Sequence, residues 1–129
     1  MRVRPLEYLM EWLRRWRDIL VGRIPKGVKR SPQWPEVRER HLRLHPECAF
    51  CGGTKKLNVH HKRPFWLFPE LELAPLNLIT LCEGAKWLNC HFIIGHLLAW
   101  KSFNPAVDYD VRSWRMKILR RPEVSYKLS

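Results

Sequence analysis

Four cysteines in two pairs, Cys48 with Cys51 and Cys82 with Cys90, are the residues of this chain best suited to holding a metal. Two thiolates two residues apart can grip one ion from a tight turn, and Gly52 and Gly53 permit the backbone conformations such a turn needs. The second pair completes a set of four soft ligands, which suits Zn²⁺ in a closed structural site. Between the pairs lie His60 and His61, and after Cys90 come His91 and His96. Imidazole titrates nearest neutrality, so it can accept a proton or, when neutral, ligate a divalent cation.

These side chains need elements to hold them. Residues 57–61 and 76–82 read as short strands. A strand alternates its side chains between two faces, so His60 and His61 must point opposite ways and take different roles. Residues 62–75 carry three prolines among Phe65, Trp66, Leu67 and Phe68, which predicts an ordered, aromatic-packed loop with Glu70 and Glu72 as structural residues. Residues 88–100 predict a helix through Phe92, Ile93, Leu97, Leu98 and Trp100, with Asn89 as cap and Gly95 as a weak point.

Upstream, Leu6, Leu9, Met10, Leu13, Trp16 and Leu20 recur at spacings of three and four, an amphipathic helix over residues 5–21 stopped by Gly22. A basic linker follows over 22–35. A short helix containing Val37, Leu42 and Leu44 is expected to start at Ser31 and Pro32 and to end before Pro46. A last helix is expected over 108–121, with Val111, Trp114 and Ile118 on one side and Pro122 as its stop. The seven tryptophans read mostly as packing residues. The expected fold is α+β, a small zinc-stapled core framed by N- and C-terminal helices. Residues 1–30 read as an accessory arm, 31–122 as the domain and 123–129 as a tail.

The chain carries 24 Lys+Arg against 12 Asp+Glu, a net charge of +12, and its 46% hydrophobic content excludes a disordered basic tail. It contains no apolar run of about 18 residues, so no membrane span is expected. Charges from Glu7 to Arg17 break the N-terminal segment where a signal peptide would be apolar. The expectation is an intracellular, reducing compartment, where cysteines are metal ligands more often than disulfides. Residues 1–47 and 101–129 carry +10 of the net charge, whereas 48–100 hold all four cysteines and four of the six histidines. Arg14, Arg15, Arg23, Lys26, Lys29, Arg30, Arg112, Arg115 and Arg120 are therefore candidate contacts to the phosphates of a nucleic acid, which the family resemblance given below makes double-stranded DNA. The alternative is that they form solvated helix faces.

A Cys-x2-Cys pair, a strand ending His-His, the segment Leu-Asn-Leu-Ile-Thr-Leu-Cys and a closing Cys-His together resemble the HNH endonuclease family, over residues 48–96. The resemblance implies a ββα-metal (His-Me finger) fold and metal-dependent phosphodiester hydrolysis by a DNA endonuclease or nickase. It implies His61 as general base and Asn77 as the residue that positions the base's loop. His60 and His91 would ligate a catalytic cation such as Mg²⁺, Mn²⁺ or Ni²⁺. Some relatives use a second helical histidine, which falls on His96. Five residues span about 140° of an α-helix, so His96 shares a face with His91 only if Gly95 distorts that helix. The stretch Glu83 to Asn89, which includes Trp87, departs from the family's shorter second knuckle. Two other classes compete: a non-catalytic zinc-binding nucleic-acid module, and a membrane-surface or protein adaptor built on residues 5–21.

Overall fold

The structure, a computed structural model that describes residues 5–23, 27–84 and 89–120, pairs two short strands as an antiparallel hairpin. β1 is Leu57–His61 and β2 is Leu78–Cys82, in a register that runs from Leu57 opposite Cys82 to His61 opposite Leu78. Three helices frame them: α1 (Pro5–Leu20), α2 (Trp34–Leu44) and α3 (Val107–Leu119). The class is α+β, as expected. Every residue of β2 is buried, which is why its sequence reads as an apolar run and not as an alternation. Two strands alone are marginally stable in water. Here Ile79 and Leu81 pack with Ile94, Val107, Val111 and the thiols Cys48, Cys82 and Cys90, so the core is assembled around the cysteines.

Several boundaries differ from expectation. β2 starts at Leu78, because Pro75–Asn77 first winds a 3₁₀ turn. α2 starts at Trp34 and not at Ser31. The Ser31 hydroxyl accepts the Gln33 N–H at 3.2 Å and its carbonyl accepts the Trp34 N–H at 3.0 Å, which makes a turn ahead of the helix. Pro35, in the first helical turn, takes the place expected for Pro32.

The helix expected over 88–100 is a single π-turn, His91–Gly95, and Leu88 lies outside the described residues. Asn89 does cap it, accepting the Phe92 N–H at 3.0 Å. Leu97 and Leu98 then adopt φ of 51° and 65°, a left-handed stretch that no helix continues through. In α3, Val107 and Val111 are buried but Trp114 is exposed, off the packed side. The Ile118 side chain and Pro122 lie outside the described residues. Trp12, Trp66 and Trp100 are also partly exposed, yet each packs against a neighbouring ring.

The 62–75 loop is ordered, with Leu67, Phe68 and Glu72 buried. The Glu72 carboxylate accepts the Ser31 N–H at 3.0 Å and faces Arg30 at 3.5 Å. Residues 5–20 pack on this loop: Ile19 joins Leu67 and Phe68, Trp16 meets Trp66 at 5.4 Å, Arg15 pairs with Glu70, and Glu11 pairs with Arg63 at 2.6 Å. The helix docks through Trp16 and Ile19, while its leucine stripe stays in solvent.

On α2, His41 is buried and stacks on His45 at 4.5 Å. Burial, then the charges of His45 and Lys62, lower its pKa from 6.5 to about 4. Between those values the unfolded chain binds a proton that the folded chain refuses. This contribution to stability is therefore complete above pH 6.5 and declines as pH falls toward 4, by up to about 1.4 kcal/mol per unit. Denaturant titrations at pH 7 and pH 5 should show His41→Gln losing less stability on acidification than the wild type; equal losses would contradict the assignment.

Candidate metal centres

The four cysteine sulfurs lie within 4.8 Å of one another, with Cys51 and Cys82 at 3.7 Å. Four sulfurs at about 2.3 Å from a tetrahedral Zn²⁺ stand about 3.8 Å apart, so donor set and spacing both fit that ion. The knuckle is shaped by its backbone: the Cys48 N–H reaches the Gly53 carbonyl at 2.7 Å, Gly52 takes φ of 74°, and the Gly53 N–H points at the Cys51 sulfur at 3.4 Å. The Ala49 N–H ties it to the Thr80 carbonyl of β2 at 2.9 Å.

The neighbouring Cys90 thiol, aided by backbone N–H groups and opposed by burial, pushes the Cys48 pKa down to about 5. Burial pushes Cys51 up to about 11, and the hydrogen bond to Cys48 followed by burial pushes Cys90 up. Thiols so close cannot all ionise beside one another, whereas a central dication lets every sulfur bind as thiolate.

The second cluster is nitrogen. His60 Nδ1 lies 3.1 Å from His91 Nε2, which lies 3.2 Å from His96 Nε2. His96 Nδ1 is 2.8 Å from the Ser102 carbonyl, and because a carbonyl only accepts, the proton sits on Nδ1 and the Nε2 lone pair faces inward. The Glu83 carboxylate, 2.7 Å from His91 Nδ1, orients that ring the same way. The two Nε2 atoms then confront each other, a contact that a shared cation can satisfy. Nitrogens held tetrahedrally at about 2.0–2.1 Å stand about 3.3–3.4 Å apart, close to the observed spacing. Three protein ligands leave coordination positions open, unlike the closed four-sulfur set. Burial, reinforced by His91 and His96, lowers the His60 pKa to about 2, and burial also lowers that of His96. Both rings are neutral at pH 7, the state a ligand requires.

His96 reaches this cluster through the π-turn. Its N–H donates to the His91 carbonyl at 3.1 Å, an i→i+5 bond that places positions five apart on one face. The 140° separation of an α-helix therefore does not apply. Gly95 contributes by having no side chain, since a Cβ there would lie 3.1 Å from the His60 ring and 3.2 Å from Leu81. The half-exposed Trp100 packs against His96 and His91 at 5.0 and 5.4 Å.

His61 faces away from the cluster, as strand alternation requires. It packs on Trp34 at 4.5 Å and donates Nε2–H to the Glu72 carbonyl at 2.9 Å, which leaves Nδ1 as the basic nitrogen. Burial lowers its pKa, partly offset by that carbonyl. Asn77 touches neither cluster. Its side chain accepts the Arg63 N–H at 2.8 Å and donates to the carbonyls of Arg63 and Leu71 at 3.0 and 3.1 Å, tying the end of β1 to the loop that holds His61.

The candidate phosphate contacts divide. Arg15, Arg23, Arg30 and Arg115 pair with Glu70, Asp18, Glu72 and Glu47, and Arg30 also stacks on Trp34 and Phe65. Arg14, Lys29, Arg112 and Arg120 are exposed without a carboxylate partner among the described residues, outside which Lys26 lies.

Glu83, Ser102 and Trp34 support the histidines but were not singled out for that role from sequence. Glu83 stands directly after Cys82, a position that placed it beside a ligand, whereas Ser102 acts through its backbone and leaves no side-chain signal. No known protein family, curated protein or solved structure matches the chain. Among the described residues no helix is long and apolar enough to cross a membrane.

Removing a carboxylate that orients a ligating histidine commonly weakens metal binding by about 10- to 100-fold. Calorimetric titration with Ni²⁺ or Mn²⁺ should show that loss in Glu83→Ala with its zinc content unchanged; wild-type affinity would mean that Glu83 does not orient His91.

Proposed function

We propose that the chain is a metal-dependent DNA endonuclease or nickase of the HNH kind, with β1, β2 and the His91–Gly95 turn as a reduced ββα-metal unit and zinc on the four cysteines. The observation that carries this reading is the convergence of His60, His91 and His96 at 3.1–3.2 Å, with His61 on the opposite face of the same strand end. His60, His91 and His96 would hold a divalent cation such as Mg²⁺, Mn²⁺ or Ni²⁺. When bound, the cation supplies charge stabilisation for the scissile phosphate and for the departing oxygen.

His61 accepts the proton of the attacking water at Nδ1. The Glu72 carbonyl and the Trp34 ring fix the orientation of its imidazole, and its lowered pKa keeps it unprotonated near neutrality. Asn77 positions the loop that carries this carbonyl. Arg14, Lys29, Arg112 and Arg120 offer contacts to the backbone of double-stranded DNA that carry no sequence information, and Lys26 is a further candidate. A thiolate-bound zinc and a DNA substrate suit an intracellular location.

Supercoiled plasmid incubated with the protein and Mg²⁺, Mn²⁺ or Ni²⁺ should be converted to nicked circles. His61→Ala should slow this by roughly 10²- to 10⁴-fold while zinc content and DNA binding persist. Nicking at wild-type speed would show that His61 is not the base. Because the His61 pKa is lowered, the neutral base is lost only as pH falls below the ordinary 6.5, so the acid limb of the wild-type rate should lie below that value.

A further inference from the structure

A cleft of about 420 Å³ opens between α1, the 62–75 loop and residues 101–105, within the ~300–1,000 Å³ range of sites that take a small ligand. Its walls are aromatic: Trp12 and Trp16 of α1, Trp66 and Phe68 of the loop, and Phe103. Trp12 meets Trp16 edge-on at 5.9 Å, and Trp16 meets Trp66 tilted at 5.4 Å. Neither contact is a face-to-face stack, and Trp12 and Trp66 are 37% and 44% exposed. The polar lining is the Glu11–Arg63 ion pair, Ser102 and Lys101, the last exposed and without a carboxylate partner among the described residues. We propose that this cleft receives one unpaired nucleobase of the DNA substrate, beside the phosphate presented to His60, His91 and His96.

The chemistry of the walls selects the occupant. Aromatic rings bind a nucleobase by stacking, and they do so for any base because every base has a π-face. A base inside a duplex spends both faces on its neighbours, so only one out of the stack can enter, and extrusion costs least for a base already unpaired. An acyl chain would meet a carboxylate and two cations in these walls. A nucleotide instead matches them: Lys101 can hold a backbone phosphate, while Glu11 and Arg63 present an acceptor and donors to a base edge. A proline-rich peptide also docks on aromatic rings, but a chain of net charge +12 favours a polyanion. Location agrees. Ser102 lines the cleft and also accepts the His96 Nδ1–H at 2.8 Å, and Arg63, two residues after His61, donates its N–H to Asn77 at 2.8 Å. The cleft therefore borders both the imidazole cluster and the loop that holds His61. The proposal rests on the nuclease reading for what that centre does to the adjoining phosphate; binding of the base is separate from it.

Fluorescence anisotropy with the zinc-loaded full chain and no added Mg²⁺, Mn²⁺ or Ni²⁺ reads binding without cleavage. The probes are labelled duplexes of one sequence: fully paired, carrying one extra unpaired thymine, or carrying an abasic sugar in place of that thymine. The thymine duplex should bind roughly 5- to 150-fold more tightly than the other two, the effect of one base stacked on an aromatic side chain. The abasic duplex bends at the same point, so the difference reports the base alone, and this comparison needs no variant. Trp12→Ala should bring the thymine duplex down to the level of the others, and Trp12→Phe should keep most of the preference; circular dichroism and zinc content confirm that both fold. Equal affinity for the thymine and abasic duplexes, a preference that survives Trp12→Ala, or a proline-rich peptide that occupies the cleft and that no duplex displaces would each overturn the proposal. A chain that prefers the unpaired base but never nicks plasmid would overturn the nuclease reading and leave the base site standing, and a chain that nicks but ignores the base would do the opposite.

Discussion

The four-sulfur cluster is the constraint on which the remaining geometry depends. A two-stranded hairpin is marginal in water, and this one is joined at Cys48, Cys51, Cys82 and Cys90 to a knuckle, to the end of β2 and to the start of the π-turn. Structural zinc at such a site contributes on the order of 10 kcal/mol in comparable peptides, as much as a small domain's whole stability. Two of the cysteines also immediately precede the second cluster: Cys82 is followed by Glu83, and Cys90 by His91. Drawing the sulfurs together therefore sets the 2.7 Å contact between the Glu83 carboxylate and the His91 ring. His60 completes the triangle from β1, whose register against β2 ends at that same cysteine.

Within the histidine cluster, electrostatics and backbone act together. Three imidazoles directed at one point suit a cation placed there, and the Ser102 and Glu83 contacts fix that direction for two of them. The π-turn is the backbone's part in this. Such turns are rare and are frequent at functional sites. Here the turn brings in His96, and the absence of a side chain at Gly95 lets the His60 ring approach.

Much of this was legible in the sequence, for identifiable reasons. The strands could be read because β2 is a buried apolar run and because β1 alternates. The opposite directions of His60 and His61 follow from that alternation. The cysteine set could be read because thiolate coordination constrains residue type and spacing so strongly. What could not be read was any departure from regular periodicity. The 3.6-residue repeat extends the last helix of the metal region through Leu97 and Leu98, whose left-handed backbone ends it, and it places His96 on the wrong side. The same repeat marks the leucines of α1 as its buried face, yet the helix docks through Trp16 and Ile19, because the 62–75 loop offers Trp66, Leu67 and Phe68 as partners. Nor does a list of basic residues distinguish those already engaged with carboxylates, such as Arg30 against Glu72, from exposed ones such as Arg112.

The central claim is that two chemically distinct clusters, each able to hold a metal ion, stand side by side, one all sulfur and the other all imidazole. X-ray absorption at the zinc and nickel edges, on chain loaded with one equivalent of each, tests it most directly. The account predicts zinc surrounded by four sulfurs at about 2.3 Å, and nickel with imidazole nitrogens and oxygen neighbours but no sulfur. Imidazole in the zinc shell, or sulfur in the nickel shell, would contradict it.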